Sequence, residues 1–196
     1  MHKSAQRKVK THNKILSSAE KLLRTKGVKA TTVEKVMGGA SLTVGGFYAH
    51  FDSKEALIGE ALRRAFMESF QRIAKDTEAL DDTERVIEIV KRYLSHYHRD
   101  HPEIGCPLPA VLSELKFSGK PAFQAVTTSL ENLINNLDRD QTLSVNMDHR
   151  QYLLAIFSMC LGGIALARGL KGTGLSNEIL EACFTLFLST LEEKDK

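Results

Sequence analysis

Apolar residues recur at spacings of three and four along almost the whole chain, the period of an amphipathic helix. Ile15, Leu16, Ala19, Leu22 and Leu23 make the first stripe, and Gly27 is a natural stop just beyond it. Thr31-x-x-Glu34 reads as a capping box that opens a short helix over about 32–38. Ser41-Leu42-Thr43 reads as a turn, and a third helix is expected over about 44–50. Asp52-x-x-Glu55 reads as a second capping box; the longer helix it starts carries Leu57, Ile58, Ala61, Leu62, Ala65, Phe66, Phe70 and Ile73.

Past the acidic joint Asp81-Asp82, Val86, Val90, Tyr93 and Tyr97 keep helical spacing. Pro102, Pro107 and Pro109 punctuate the next connection, and Pro107 fits the first position of a helix reaching Phe117. Phe123, Val126, Leu130, Leu133 and Leu137 repeat in a 3-4-3-4 rhythm. Two apolar helices follow over about 149–169 and 176–193, split by the glycine-rich stretch 169–174, with Ser176 as N-cap of the second. No strand-period alternation competes, and there is no internal repeat. The expected fold class is all-α with about nine helices: three in a small head, a fourth as bridge, five in a larger body. The corresponding division is 1–52 and 53–196.

Charge changes this picture. Residues 1–64 hold 13 Lys+Arg against 5 Asp+Glu, while the remainder holds 14 against 19. A cationic front end on an acidic body suits a polyanion met by the head alone. The three cysteines are odd in number and show no CxxC spacing, so reduced thiols in a cytoplasm are expected. The acid-free stretch before Glu20 has the composition of an organelle presequence but fits better as the opening helix. The most apolar run, 152–167, falls short of the roughly 20 residues of a membrane span.

Candidate chemistry is sparse. The loop 169–174 lacks both the P-loop spacing and a strand leading into it, and neither GxSxG nor HExxH occurs. His96, His98, Asp100 and His101 are ligand types, yet positions two apart diverge by about 200° on a helix, so a polar helix end is expected and no metal. The reading is of no enzyme and no cofactor. In the head, by contrast, a short helix, a tight turn and a second short helix on a basic background form the arrangement that inserts a recognition helix into the major groove. Gly45 and Gly46 each cost that helix about 1 kcal/mol relative to alanine, but a bare backbone approaches bases or phosphates closely. Packing of Phe47 and Phe51 then has to hold the helix, and Val44 is left for apolar contact with thymine methyls.

The stretch Thr32-Val33-x-x-Val36-Met37 … Ala40-Ser41-Leu42-Thr43-x-Gly45-Gly46-Phe47-Tyr48-x-His50-Phe51-x-Ser53-Lys54-Glu55-x-Leu57 resembles the TetR family of bacterial transcriptional regulators over roughly residues 8–60. Ser41 departs from the pattern, standing where the family turn usually has glycine. The resemblance implies a homodimer that binds palindromic double-stranded operator DNA and is released by a small-molecule inducer. It places Tyr48 and His50 against phosphates. Lys54, opening the bridge helix, adds its ammonium to the helix-end N–H groups there. Thr32 and Thr43 are caps first and phosphate contacts second, and the Lys3–Lys14 cluster is either solvated surface or an arm along the DNA.

For the body, the expected ligand is small and largely apolar, lined by Cys106, Phe117, Phe123, Phe157 and Met159. Phe157, Leu161, Ile164, Phe184, Phe187 and Leu191 are expected in a dimer interface of paired helices, with Ser158, Gly162, Gly163 and Ala167 allowing close approach. Cys106, before Pro107, has two readings: a cavity-lining residue, or a thiolate activated at a helix N-terminus, as in a thiol-based electrophile or redox sensor. The alternative from another class is an all-α interaction protein with a basic head.

Overall fold

The computed structural model describes residues 2–137 and 147–192. Among these residues there are nine α-helices and no strand: α1 (His2–Lys26), α2 (Val33–Gly39), α3 (Lys54–Ile73), α4 (Asp82–Tyr93), α5 (His96–Asp100), α6 (Leu108–Val111), α7 (Gly119–Leu137), α8 (His149–Gly169) and α9 (Gly174–Glu192). Single 3₁₀ turns occupy Val44–Ala49, Pro102–Ile104 and Leu112–Phe117. The all-α class and the helix number match the periodicity, although the last helix was expected to reach residue 193, which lies outside the described residues.

Helix starts shift by a residue or two from the expected ones. At α2 the cap is Thr32, whose Oγ1 accepts the Lys35 N–H at 3.3 Å; Thr31 is fully buried and donates its hydroxyl to the Gly27 carbonyl at 2.7 Å. At α3 the cap is Ser53, which accepts the Ala56 N–H at 3.1 Å, rather than Asp52. At α9 Thr173 takes the Ser176 N–H at 3.3 Å, while the buried Ser176 hydroxyl donates to Ala167 at 2.7 Å. At α2 and α9 the expected and actual caps are both hydroxyls, and burial of one selects the other; at α3 Ser53 caps although Asp52 is exposed. The expected helix through Tyr97 breaks at Leu94. There the Ser95 hydroxyl donates to the Arg92 carbonyl at 2.7 Å and accepts the His98 N–H at 3.1 Å, closing α4 and capping α5.

Packing divides the chain into two units, Met1–Glu68 with Cys106–Ser129, and Ser69–Gly105 with Leu130–Lys196. The cut differs from the expected division at 52/53: residues 53–68, α6 and the start of α7 all pack into the head's unit. In the first unit Ile15, Leu16, Leu23, Val36, Met37, Phe47, Leu57, Ile58 and Leu62 are buried, each contributing about 1.5–3 kcal/mol of apolar burial. Two glycines allow α6 and α7 in. A Cβ on Gly27 would lie 2.9 Å from the Ala110 carbonyl oxygen, and one on Gly59 would lie 2.9 Å from Pro121. Gly27 also has φ +77°, a conformation only glycine adopts cheaply.

In the second unit α8 packs along α9. Gly163 is needed there: its Cβ would lie 2.9 Å from the Cys183 sulfur. Helix α8 is long and apolar enough on length and composition to cross a membrane, beyond the 16 residues of the apolar run itself. It buries Tyr152, Leu153, Ile156, Cys160, Ile164 and Ala167 inside the protein, as a core helix does.

Candidate nucleic-acid interface

The head is built on α1 and α2. Gly27 ends α1, Thr32 caps α2, and the turn after α2 closes by Ser41 N–H to the Gly38 carbonyl (3.0 Å) and Leu42 N–H to the Met37 carbonyl (2.9 Å). Ser41 sits at φ +58°, in the left-handed region, so this turn carries a Cβ where glycine would fit without strain. The expected third helix is a 3₁₀ turn, not an α-helix. Two successive glycines withdraw the propensity that would sustain α geometry. Fully buried Phe47 pins the turn instead, stacked on Phe51 at 5.7 Å between ring centroids.

Outward from that anchor the turn presents Val44, 44% exposed, and Tyr48, 74% exposed. Gly45 and Gly46 have no positive φ, and a Cβ on Gly45 would meet nothing within 4 Å, one on Gly46 only the Met37 methyl at 3.8 Å. Nothing in the chain's own fold requires glycine at either position. Thr43 stands before the turn, exposed, and makes no capping bond with its side chain, so its expected role as a cap is not realised; Thr32 does cap. Lys54 opens α3 and lies within electrostatic reach of Glu34 on α2. Thr32, Thr43, Val44, Gly45, Gly46, Tyr48, His50 and Lys54 thus all belong to the first unit.

His50 closes the recognition turn with its Nδ1 buried and without a hydrogen bond among the described residues. Burial, then the charges of His12 and Lys8, hold its pKa below the ordinary histidine value. His12 was not anticipated. Its ring stacks on Phe51 at 4.5 Å and its Nε2 contacts the Glu60 carboxylate at 2.8 Å, tying α1 to the recognition turn and to α3. Its position in the stripe with Ile15, Leu16 and Ala19 was the available signal. The basic start of the chain, expected as solvated surface or as an arm, is helical from His2 and continues α1.

A second fastening joins α1 to α3. Glu20, 3% exposed, pairs with Arg64, and Arg24 donates to the Ala65 carbonyl at 2.9 Å and to Glu68 at 3.3 Å. Burial raises the Glu20 pKa against the pull of Arg64. A third comes from much later in sequence: one oxygen of Glu114 accepts the N–H groups of Val28 at 2.6 Å and Lys29 at 2.9 Å. The helix expected to run from Pro107 to Phe117 is instead the single turn α6 followed by a 3₁₀ turn, which delivers that carboxylate.

The residues expected to line a ligand pocket stand as follows. Phe117 and Phe123 are 73% and 56% exposed, Cys106 is buried in the first unit, and Phe157 and Met159 belong to the second. Cys106 precedes a helix of four residues, too short to supply the dipole that the thiolate reading needs. Cys160 is buried, its thiol pushed up to about 12 chiefly by desolvation. The polar residues of α5 face separate partners: His98 Nδ1 donates to the Tyr93 carbonyl at 2.6 Å, Asp100 pairs with Arg99 and Lys171, and His101 meets Glu103. Among the described residues no three metal-ligating side chains converge.

Of the expected interface residues, Ile164 and Phe187 are fully buried within the chain and cannot face a partner; Phe157, Leu161, Phe184 and Leu191 are half-buried. The outward stripes are Ala155, Ser158, Gly162 and Leu166 on α8 and Ala182, Leu186 and Ser189 on α9.

Residues 15–61 match the family described as bacterial regulatory proteins, tetR family. A stretch of 49 residues is 41% identical to the HTH-type transcriptional repressor KstR2 of Rhodococcus jostii (strain RHA1), covering 25% of this chain and about a quarter of that relative's length (24%). The fold as a whole is similar to a TetR transcriptional regulator from Chloroflexus aurantiacus J-10-fl (TM-score 0.80, 20% identity, 96% of this chain and 97% of that one). It is also similar to the reduced form of NemR from E. coli (TM-score 0.75, 18% identity, 93% and 98%). Residues 15–61 thus carry a head of the bacterial tetR family, and the all-helical fold over nearly the whole chain is similar to that of solved TetR regulators.

Proposed function

We propose that the chain is a ligand-responsive repressor, acting in the cytoplasm as a homodimer on palindromic operator DNA. The observation that carries the reading is the pair Gly45 and Gly46. Both sit on an exposed turn, at helical cost, where the chain's own packing leaves room for a side chain. A bare backbone there serves something that comes from outside and comes close. Val44 beside them offers a methyl-sized apolar contact to thymine, while Thr43, Tyr48, His50 and Lys54 offer donors to phosphate. Lys8, near enough to His50 to depress its pKa, extends the cationic face along α1.

Two such heads on a dimer read half-sites about one helical turn (~34–36 Å) or somewhat more apart. Release needs only that the inducer favour one of two head arrangements, a coupling of about 1–3 kcal/mol. The element that carries it is α3, which begins at the DNA contact Lys54 and ends in the second unit.

The test is a mobility shift with the DNA upstream of the chain's own gene, repeated across salt concentrations. Lys54→Ala is expected to weaken binding on all sequences and lower the salt slope by about one unit. Val44→Ala is expected to change base preference and leave that slope alone. Binding that survives both changes with its slope and preference intact would remove this face from the DNA.

A further inference from the structure

The last turn of α3 borders a cavity of about 320 Å³, enclosed by residues of the second unit alone. That volume is at the small end of ligand pockets, roughly 300–1,000 Å³. Ile73 and Ile104 form apolar wall, and Ser69, itself 3% exposed, lines it with a hydroxyl. Around the cavity stand three cations, Arg72, Lys91 and Arg92, against one carboxylate, Glu88.

Their commitments are unequal. Arg92 is spent: its Nε donates to Glu88 at 2.8 Å and its Nη1 to the Ile73 and Lys75 carbonyls at 3.0 and 2.5 Å. Arg72 gives one N–H to the Ile104 carbonyl and makes no ion pair among the described residues, leaving the rest of its fork. Lys91 stands 3.9 Å from the other Glu88 oxygen, a loose contact for a side chain 66% exposed. The cavity edge therefore holds one cation without an ion pair among the described residues, Arg72, and one only loosely paired, Lys91, beside an apolar wall.

We propose that this cavity binds a small monocarboxylate with an apolar tail; the assignment rests on the reading of the chain as a ligand-responsive regulator and names the chemistry of its ligand. The tail lies against Ile73 and Ile104, the carboxylate meets Arg72 and Lys91, and Ser69 supplies a further donor. One carboxylate matches Arg72 and the loosely paired Lys91, and arginine's planar fork suits it geometrically. An ammonium would meet the same cations and be repelled. An alcohol of equal length would keep the apolar contact and leave the cations unused. Since Ser69, Arg72 and Ile73 are the final turn of α3, the occupant touches the helix whose first residue is Lys54.

The experiment uses the full chain with octanoate, octan-1-ol and octylamine as probes, read by calorimetry at low and moderate salt. Octanoate is expected to bind saturably, at least tenfold more tightly than octan-1-ol, with octylamine weakest and added salt weakening octanoate only. Lys91→Gln, at an exposed position that leaves folding intact, and Arg72→Gln are each expected to loosen octanoate several-fold without changing octan-1-ol. Equal binding of octanoate and octan-1-ol, no effect of Lys91→Gln, or no binding of any probe overturns the assignment. A mobility shift on upstream DNA is run in parallel. DNA binding without octanoate uptake defeats the cavity assignment and leaves the regulator reading standing. Octanoate uptake that depends on Lys91, in a protein that binds no DNA, supports the cavity and defeats the regulator.

Discussion

At the scale of single residues, burial decides protonation, and His98 shows it most clearly. It is 6% exposed, and desolvation brings its pKa from 6.5 to about 4, helped by Arg168 and Arg72 and opposed by the hydrogen bond to Tyr93. The unfolded chain takes up this proton near pH 6.5 and the folded chain does not until about pH 4. The neutral imidazole's contribution is therefore complete above pH 6.5 and is lost as the pH falls toward 4, on the order of 3 kcal/mol. Urea unfolding at pH 7, 5.5 and 4.5 checks it: the wild-type chain is expected to weaken across this range, and His98→Gln to flatten that part of the slope. A His98→Gln profile parallel to the wild type would assign the acid sensitivity elsewhere.

Among the elements, the unexpected partner of the head is the short stretch around α6. Glu114 lies 86 residues from Val28, yet its carboxylate takes the two N–H groups of the turn between α1 and α2. Glu114→Ala leaves both donors without that acceptor, a loss of roughly 2–3 kcal/mol for hydrogen bonds to a charged group. Glu114→Gln keeps an acceptor oxygen and is expected to lose about half as much. Amide exchange read at Val28 and Lys29 should accelerate in the order wild type, Gln, Ala. Unchanged exchange at those two amides in the alanine variant would show that the clamp is not formed in solution.

For the whole molecule, the outward stripes on α8 and α9 are the surface offered to a second copy. Ala155, Ser158, Gly162 and Leu166 succeed one another at helical spacing on the exposed face of α8, with Ala182, Leu186 and Ser189 on α9. Small residues let helices approach closely, and Leu166 and Leu186, each 58% exposed, have apolar surface to bury. Sedimentation equilibrium is expected to show a dimer that Leu166→Glu with Leu186→Glu converts to a folded monomer. Ile164→Ala and Phe187→Ala, by contrast, should lower stability by about 2–5 kcal/mol through cavities in the core. A double glutamate variant that stays dimeric would place the interface on another face.

What the sequence by itself determined is what local chemistry and period can encode. The 3.6-residue rhythm specified an all-helical chain, and the spacing from Thr32 to Leu57 specified the head, down to Phe47 and Phe51 as its anchors. Ser41 was legible only as a departure from the family's turn glycine; its left-handed backbone came from the structure. The choice between Thr31 and Thr32 was not legible, since the rival caps are chemically alike and burial of Thr31 breaks the tie; nor was that between Asp52 and Ser53. Nor was the membership of α6 in the head's unit, the clamp from Glu114, or the cavity at the end of α3. Those depend on side chains brought together across tens of residues, and the α8 and α9 stripes show the same limit. Both faces of these helices are apolar enough to be buried, so only packing decided that Ile164 and Phe187 turn inward while Gly162 and Leu186 face out.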